Sequence, residues 1–380
     1  VPPRILVAPN ALKGSLSAAG AASAMAEGVR SACPDAVVVE LPIADGGDGT
    51  REVLVRARGG STHEATVKDA LGRPIRAAFG LIEGDLGVVD VASASGLARL
   101  SPHELDPLRA SSHGTGQLIL AALDAGARRV VLGVGGSACV DGGAGILSAL
   151  GARLLDGHGR PIPRGGAGLA LLSHLDLDGV DPRVKRGALV VACDVRNPLL
   201  GPEGAARVFA PQKGATAEQV ATLELGLAHF ASVLERNTGA DVRSMARGGA
   251  AGGIAAGLAA TLDAELVSGV DFVLDALEFD RALEGTSLVL TAEGRLDDQS
   301  AYDKGPFGVA RRARRAGIPT VVLAGQIAPD ISARALECFA GAFSIVRGPV
   351  TVERAMASAG PELRALAEEV TRQAVTVRFG

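Results

Sequence analysis

At 380 residues the chain exceeds what one hydrophobic core usually serves, so two domains are expected. It is 47% hydrophobic but only 3% aromatic, with 51 glycines and no Trp, which calls for a core of Ala, Val, Leu and Ile in close-packed α/β layers. A formal charge of -4 without a long basic tract excludes the footprint of a nucleic-acid partner, and four cysteines without C-x-x-C spacing argue against zinc, iron–sulfur or a disulfide framework.

In chain order, "RILVAP" at residues 4–9 reads as a short buried strand and residues 17–32 as a helix of small and apolar residues. "AVVVELPI" at 36–43 is a second strand, completing a β-α-β opening. The texture then changes. Short strand candidates at 65–67, 77–81, 86–90, 130–134 and 189–192 alternate with glycine-rich helices. "SLVLTAE" at 287–293, a helix at 307–316, "PTVVLAG" at 319–325 and "AFSIV" at 342–346 resume the first pattern, and a helix at 361–374 ends it. The basic run at 311–315 falls on a helix and reads as a solvated face. The two ends are expected to form one doubly wound, Rossmann- or flavodoxin-like domain, residues 1–60 plus 286–380, interrupted by a second α/β domain at 61–285. The apolar runs are too short or too broken by glycine to span a bilayer, no signal-peptide pattern opens the chain, and a cytoplasmic protein without a membrane partner is expected.

The stretch "GVGGSACVDGGAGILSALG" at 133–151 holds six glycines in its first thirteen residues. Gly133, Gly135 and Ala138 fit a G-x-G-x-x-A dinucleotide fingerprint, and Asp156 stands where a ribose-binding acid could sit. Against this, the loop leaves only residues 142–150 for a helix that should cross the sheet. A phosphate or carboxylate site of another kind and a purely structural turn remain the competing readings. A second run from Gly252 echoes the one from Gly142, and both read as helices whose Gly and Ala faces let backbones approach closely.

Acids and lysines sit in loops directly after strand-like runs, where open α/β sheets bind ligands. "APNALKGS" supplies Asn10, Lys13 and Ser15; "ADGGDGT" supplies Asp45 and Asp48; "AEGRLDDQS" supplies Glu293, Arg295, Asp297 and Asp298. The second domain adds Asp141, with Asp194 and Asn197 in "CDVRNPLLGP", Lys213 in "PQKGA" and, near the end, the first domain adds Lys304 in "YDKGP". Any one Asp in a glycine turn serves as well as a helix cap. Several strand ends bringing carboxylates beside glycines repel one another unless a cation joins them, and Mg2+ with a polyphosphate supplies that cation. The P-loop string, the protein-kinase catalytic loop, the G-x-S-x-G elbow and the H-E-x-x-H pair are all absent.

Seven strings, "PNALKGSLSA", "PIADGGDGT", "SSHGTGQLI", "GVGGSACVDGGAGILSALG", "ACDVRNPLLGPEGAARVFAPQKGA", "GGAAGGIAAGL" and "TAEGRLDDQSAYDKGPFGVARRA", occur in an order that closely resembles the class I glycerate kinase family. They run from Pro9 to Ala313. The resemblance implies ATP and D-glycerate as substrates, with transfer usually to the 2-hydroxyl, and an active site between a doubly wound domain and an inserted one. Asp48, Val140, Ala292 and Asp303 depart from the family's usual Glu, Asn, Gly and Gly. On this reading Asp45 or Asp141 is the base, Lys13, Ser15 and the amides of Gly135, Gly136 and Ser137 hold phosphate, and Asp194, Glu293 and Asp297 hold Mg2+. Arg295 or Lys304 pairs with the glycerate carboxylate, and Asn10, Asp48 and Lys213 complete the substrate and phosphate contacts. Product regiochemistry stays open at this point, as do a homodimer and a non-catalytic binding protein on the same scaffold.

Overall fold

The computed structural model describes residues 2–82, 85–185, 187–297 and 304–379. The chain divides into two compact units, Val1–Asp45 with Val270–Gly380, and Gly46–Gly269. In chain order the strands are β1 (Arg4–Val7) and β2 (Val37–Glu40) of the first unit, then β3 (Ser61–Lys68), β4 (Pro74–Ile82), β5 (Leu86–Asp90), β6 (Arg129–Gly133), β7 (Arg153–Leu155), β8 (His174–Asp176), β9 (Leu189–Cys193) and β10 (Glu265–Ser268) of the second. The chain returns to the first unit for β11 (Leu288–Leu296), β12 (Thr320–Ile327) and β13 (Gly341–Ser344). Both junctions fall earlier than residues 60 and 285. The helix Thr50–Arg58 packs on β4 and β5, which draws it into the second unit. Asp271 meets Arg311 and Arg312 of helix Gly305–Arg315, which draws residues after Gly269 into the first.

The first unit is a five-stranded sheet in the order β13-β12-β11-β1-β2, with every pair parallel. Counted within the unit this is 2-1-3-4-5, the doubly wound flavodoxin-like order, whose switch point lies between β1 and β11. Along β12 alternate side chains serve opposite layers, as the pleat requires. Leu290, Ala292 and Leu323 pack with Met25, Val29, Leu363 and Leu366 on one face. Leu296, Val322 and Ala324 pack with Phe307 on the other. Helix Ala18–Ala32 is entered through Ser17, whose hydroxyl accepts from the Gly20 amide at 3.1 Å. The run 311–315 is not a uniformly solvated face: the Arg312 side chain is only 10% exposed and pairs with Asp271, Asp275 and Asp280.

The second unit is a six-stranded mixed sheet, β10-β9-β6-β5-β4-β3, in which β5, β6, β9 and β10 run parallel and β3 and β4 close one edge as an antiparallel pair. That pair is longer than the sequence signal at 65–67 and 77–81, because register across eight residues holds polar positions in the ladder. The short β7 and β8 form a separate antiparallel sheet. The two glycine runs meet: the Gly142 amide donates to the Gly252 carbonyl at 3.0 Å, and a Cβ on Gly257 would collide with the Gly142 carbonyl. Their similarity thus reflects two backbones pressed together. The helix after the loop covers only Ala144–Ala149, shorter than the span available from residue 142. Among the described residues no helix is long and apolar enough to cross a membrane.

Candidate functional site

In the first unit, polar groups gather at the carboxyl ends of β1, β2 and β11, around the switch point. The Asn10 amide donates to the Ala292 carbonyl at 2.9 Å, fixing the turn after β1 against β11. From there the Asn10 Nδ2 donates to Asp45 Oδ2 at 2.9 Å, and both side chains are 4% exposed. The Asn10 Oδ1 accepts from the Ala11 amide, so the side chain cannot rotate without losing a bond at each end. Asp45 is therefore a buried carboxylate held at a set angle by a neutral donor. Gly305 lies against Asn10, and Gly294 lies against the Lys13 backbone.

Glu293 and Arg295 are not in a loop after a strand, as the sequence suggested. β11 continues through both to Leu296 because β12 runs beside it, with Arg295 opposite Gln326 and Leu296 opposite Ile327. Glu293 is buried and Arg295 exposed. Asp297 joins two cations, with Arg295 Nε at 3.6 Å and Lys304 Nζ at 4.0 Å. Lys304 stands at the N-terminus of helix Gly305–Arg315. Asp298 and Asp303 lie outside the described residues. Lys13 is exposed in a tight turn, where the Ser15 hydroxyl donates to the Leu12 carbonyl at 3.0 Å.

In the second unit the corresponding edge is mostly bare backbone. Asp90 and Gly133, the last residues of β5 and β6, stand in register with Ala192, one residue before the end of β9. The chain at residues 46–49 crosses these ends so closely that a Cβ on Gly46, whose φ is +88°, would sit 2.9 Å from the Ala192 carbonyl, and one on Gly135 would strike Gly47. The Gly135 amide is spent on the Gly46 carbonyl at 3.3 Å. The next two amides, of Gly136 and Ser137, find no acceptor among the described residues. Asp48 is exposed on the loop that leads into helix Thr50–Arg58.

Lys213 lies on a short helical turn, Pro211–Lys213, and is 4% exposed where its position between Gln and Gly suggested a loop ammonium. Its Nζ donates to the Cys139 carbonyl at 2.6 Å, the single acceptor it has among the described residues. Burial pulls its pKa down to about 8, with Cys139 and Asp141 pulling the other way. Asp141 is fully buried and its oxygens are committed: Oδ2 accepts from the Ser112 amide at 2.8 Å, the Ser112 hydroxyl at 2.9 Å and the Gly145 amide at 3.2 Å, and Oδ1 from the Gly143 amide at 3.2 Å. Burial pushes its pKa up while these donors oppose. The amides that open helix Ala144–Ala149 are thus occupied by Asp141 itself.

The dinucleotide reading fails on the same geometry. Asp156 follows β7, off the main sheet, and its Oδ1 accepts from the His158 amide at 2.8 Å and the Arg160 amide at 3.0 Å as a turn clamp. His113 is half-buried, its Nε2 accepting from Arg164 at 3.2 Å. Asp194 is partly exposed after β9, and the Asn197 side chain donates to the Glu203 carbonyl at 2.8 Å.

Two residues at these edges were passed over in the sequence. Asp90 ends β5 and is 1% exposed; the signal was present in "VVDVASASGL", an acid closing a strand. Arg247 carries a left-handed backbone, φ +70°, and its guanidinium donates to the Cys193 carbonyl at 2.9 Å at the end of β9. Its signal was an arginine directly before the glycine run at 248–253.

Residues 5–375 match the model of the glycerate kinase family. The chain is 43% identical over 368 residues to a glycerate kinase of Bacillus subtilis strain 168, covering 97% of this chain and 96% of that one. It is 41% identical over 357 residues to the glycerate 2-kinase of Escherichia coli K12, covering 94% of each. The crystal structure of a Salmonella typhimurium LT2 protein assigned as glycerate kinase 2 superposes with a TM-score of 0.84 at 41% identity, covering all of both chains.

Proposed function

This chain belongs to the glycerate kinase family and is an ATP-dependent kinase, and from that premise we propose that it moves the γ-phosphoryl group of ATP to the 2-hydroxyl of D-glycerate, releasing ADP and 2-phosphoglycerate in the cytoplasm. The 2-position follows the name carried by the Escherichia coli relative. The observation that carries the reading in this chain is the buried Lys213 ammonium with one acceptor, in the same unit as the unpartnered amides of Gly136 and Ser137. A buried cation held by one hydrogen bond is costly, and an anion set beside it would lower that cost.

In the first unit, Asp45 accepts the glycerate hydroxyl proton, and Asn10 sets its angle. This role needs hydrogen-bond reach more than a raised pKa, because a loose phosphoryl-transfer transition state asks little of its base. Arg295 or Lys304 pairs with the glycerate carboxylate, each already bridged to Asp297 and so held in place. Lys13 and Ser15 meet phosphate oxygens from the turn after β1. In the second unit, the amides of Gly136 and Ser137 and the Lys213 ammonium meet phosphate oxygens, while the Gly135 amide holds the loop and Asp48 contributes to the substrate side. Asp141 anchors the loop rather than moving a proton, since its four donors leave it no open face.

Among the described residues no three acids, histidines or cysteines are gathered into a metal-holding group. Mg2+ takes one or two carboxylates and completes its shell with water and phosphate. Glu293, Asp297 and Asp194 offer the hard oxygens it prefers, and when bound it neutralises charge on the phosphate oxygens. The test is incubation of the pure protein with Mg-ATP and D-glycerate, read by ADP release and phosphorus NMR. A 2-phosphoglycerate resonance is expected. ADP no faster than the ATPase background sinks the proposal, and a 3-phosphoglycerate product overturns the regiochemistry.

A further inference from the structure

We infer that Asp90 is a positioning residue for this transfer: a neutral carboxylic acid that ties the chain at residues 46–49 to the glycine loop at 133–137 and does so only while it holds its proton. The inference rests on the functional reading above, which gives those two segments the work of holding phosphate and substrate. Asp90 stands opposite Gly133 in the parallel ladder of β5 and β6. A Cβ on Gly133 would sit 2.9 Å from Asp90 Oδ1 and 2.9 Å from the Gly46 carbonyl, so the acid and that carbonyl flank the same bare Cα. The absent side chain at 133 is what admits the carboxyl group. Its Oδ2 accepts from the Arg51 amide at 3.3 Å, in the first turn of helix Thr50–Arg58. Its Oδ1 is buried with no partner among the described residues.

As an anion, Asp90 would be a buried charge with one long hydrogen bond. The charged groups facing it are Glu52 and Arg51 on helix Thr50–Arg58 and Asp48 on the loop before it, two like charges against one opposite. As an acid, its Oδ1 becomes a donor in the neighbourhood of the Gly46 carbonyl, which among the described residues accepts a 3.3 Å bond from the Gly135 amide and no other backbone bond. Burial, then Glu52, push its pKa up to about 8, Arg51 opposing. A simple helix cap behaves in the opposite way, since a cap at a helix N-terminus gains from negative charge.

The test compares wild type with Asp90→Asn, which keeps the shape of the acid and a donor, and Asp90→Ala, which keeps neither. At pH 7, D90N holds kcat/KM within about threefold of wild type, while D90A loses about tenfold or more, mainly in KM. Above pH 8 the wild-type profile falls with a slope approaching two, as Lys213 and Asp90 each lose a proton, and the D90N profile with a slope near one. Equal slopes, or D90N as impaired as D90A or unable to fold, overturn the inference.

A second readout needs no substrate. An acid whose folded pKa is raised contributes stability that is complete below its unfolded value near 3.8 and is lost as pH rises through about 8. The Tm advantage of D90N over wild type therefore widens from pH 5 to 8 and levels above that. A constant difference overturns the role of Asp90 even in an active kinase. An inactive wild type with the widening difference leaves the acid in place and sinks the functional reading alone.

Discussion

The two units offer ligands by different chemistry at the edges of their sheets. The first uses side chains: Asn10, Asp45, Glu293, Arg295, Asp297 and Lys304 all carry the polar group on a side chain, and each that has a described partner is braced by it. The second uses backbone, the amides of Gly136 and Ser137 that find no acceptor among the described residues, together with the buried Lys213 ammonium. Side chains can be placed by one hydrogen bond each. Bare amides need a whole loop held rigid, and this explains why the second unit spends an acid, Asp141, and pairs of glycines on scaffolding. The contrast predicts that substitutions in the first unit cost turnover and those in the second cost stability or nucleotide affinity.

The largest effect is expected at Asp45. Asp45→Asn keeps the shape and loses the acceptor, and turnover should fall by about 10²-fold or more while the glycerate KM stays within a few fold. Steady-state kinetics at saturating ATP checks this, and a loss below about tenfold, about 1.4 kcal/mol, removes Asp45 from the base role. Next is Asp141→Ala. Four buried donors lose their acceptor, which should cost about 3–5 kcal/mol in urea unfolding followed by circular dichroism. If D141A unfolds like wild type yet loses turnover as D45N does, the division between the units is wrong and Asp141 takes part in the chemistry.

How much of this was legible in the sequence follows from range. The parallel strands announced themselves as short Val- and Leu-rich runs, because a strand buried on both faces needs no partner in view to be recognised. Asn10 and Asp45 were legible for the same reason: each closely follows such a run. Glu293 and Arg295 were misplaced because the length of β11 is set by β12, about thirty residues on, and no local pattern carries that information. Asp90 was passed over because an acid closing a strand reads alike whether solvent or a glycine pair faces it. Lys213 misled for a related reason. A lysine between Gln and Gly looks exposed, and only the fold of Cys139 over it buries the charge.

Lys213 gives the smallest and most discriminating effect. Lys213→Met keeps the length of the side chain and removes a buried charge that has one hydrogen bond. Replacing such a charge with a well-packed apolar group is often neutral or stabilising. The expected result is a Tm at pH 7 equal to or above wild type, with the ATP KM raised about tenfold, or about 1.4 kcal/mol, by loss of one charged contact to phosphate. The pH dependence fixes the sign. Because burial lowers the folded pKa to about 8 from 10.5, the unfolded chain binds more protons between those values, and wild-type stability rises relative to K213M across that window. Below pH 8 the two curves run parallel. If instead K213M melts lower at pH 7 with an unchanged ATP KM, the ammonium is a strut for the Cys139 carbonyl, and the second unit would hold its ligand by backbone amides alone.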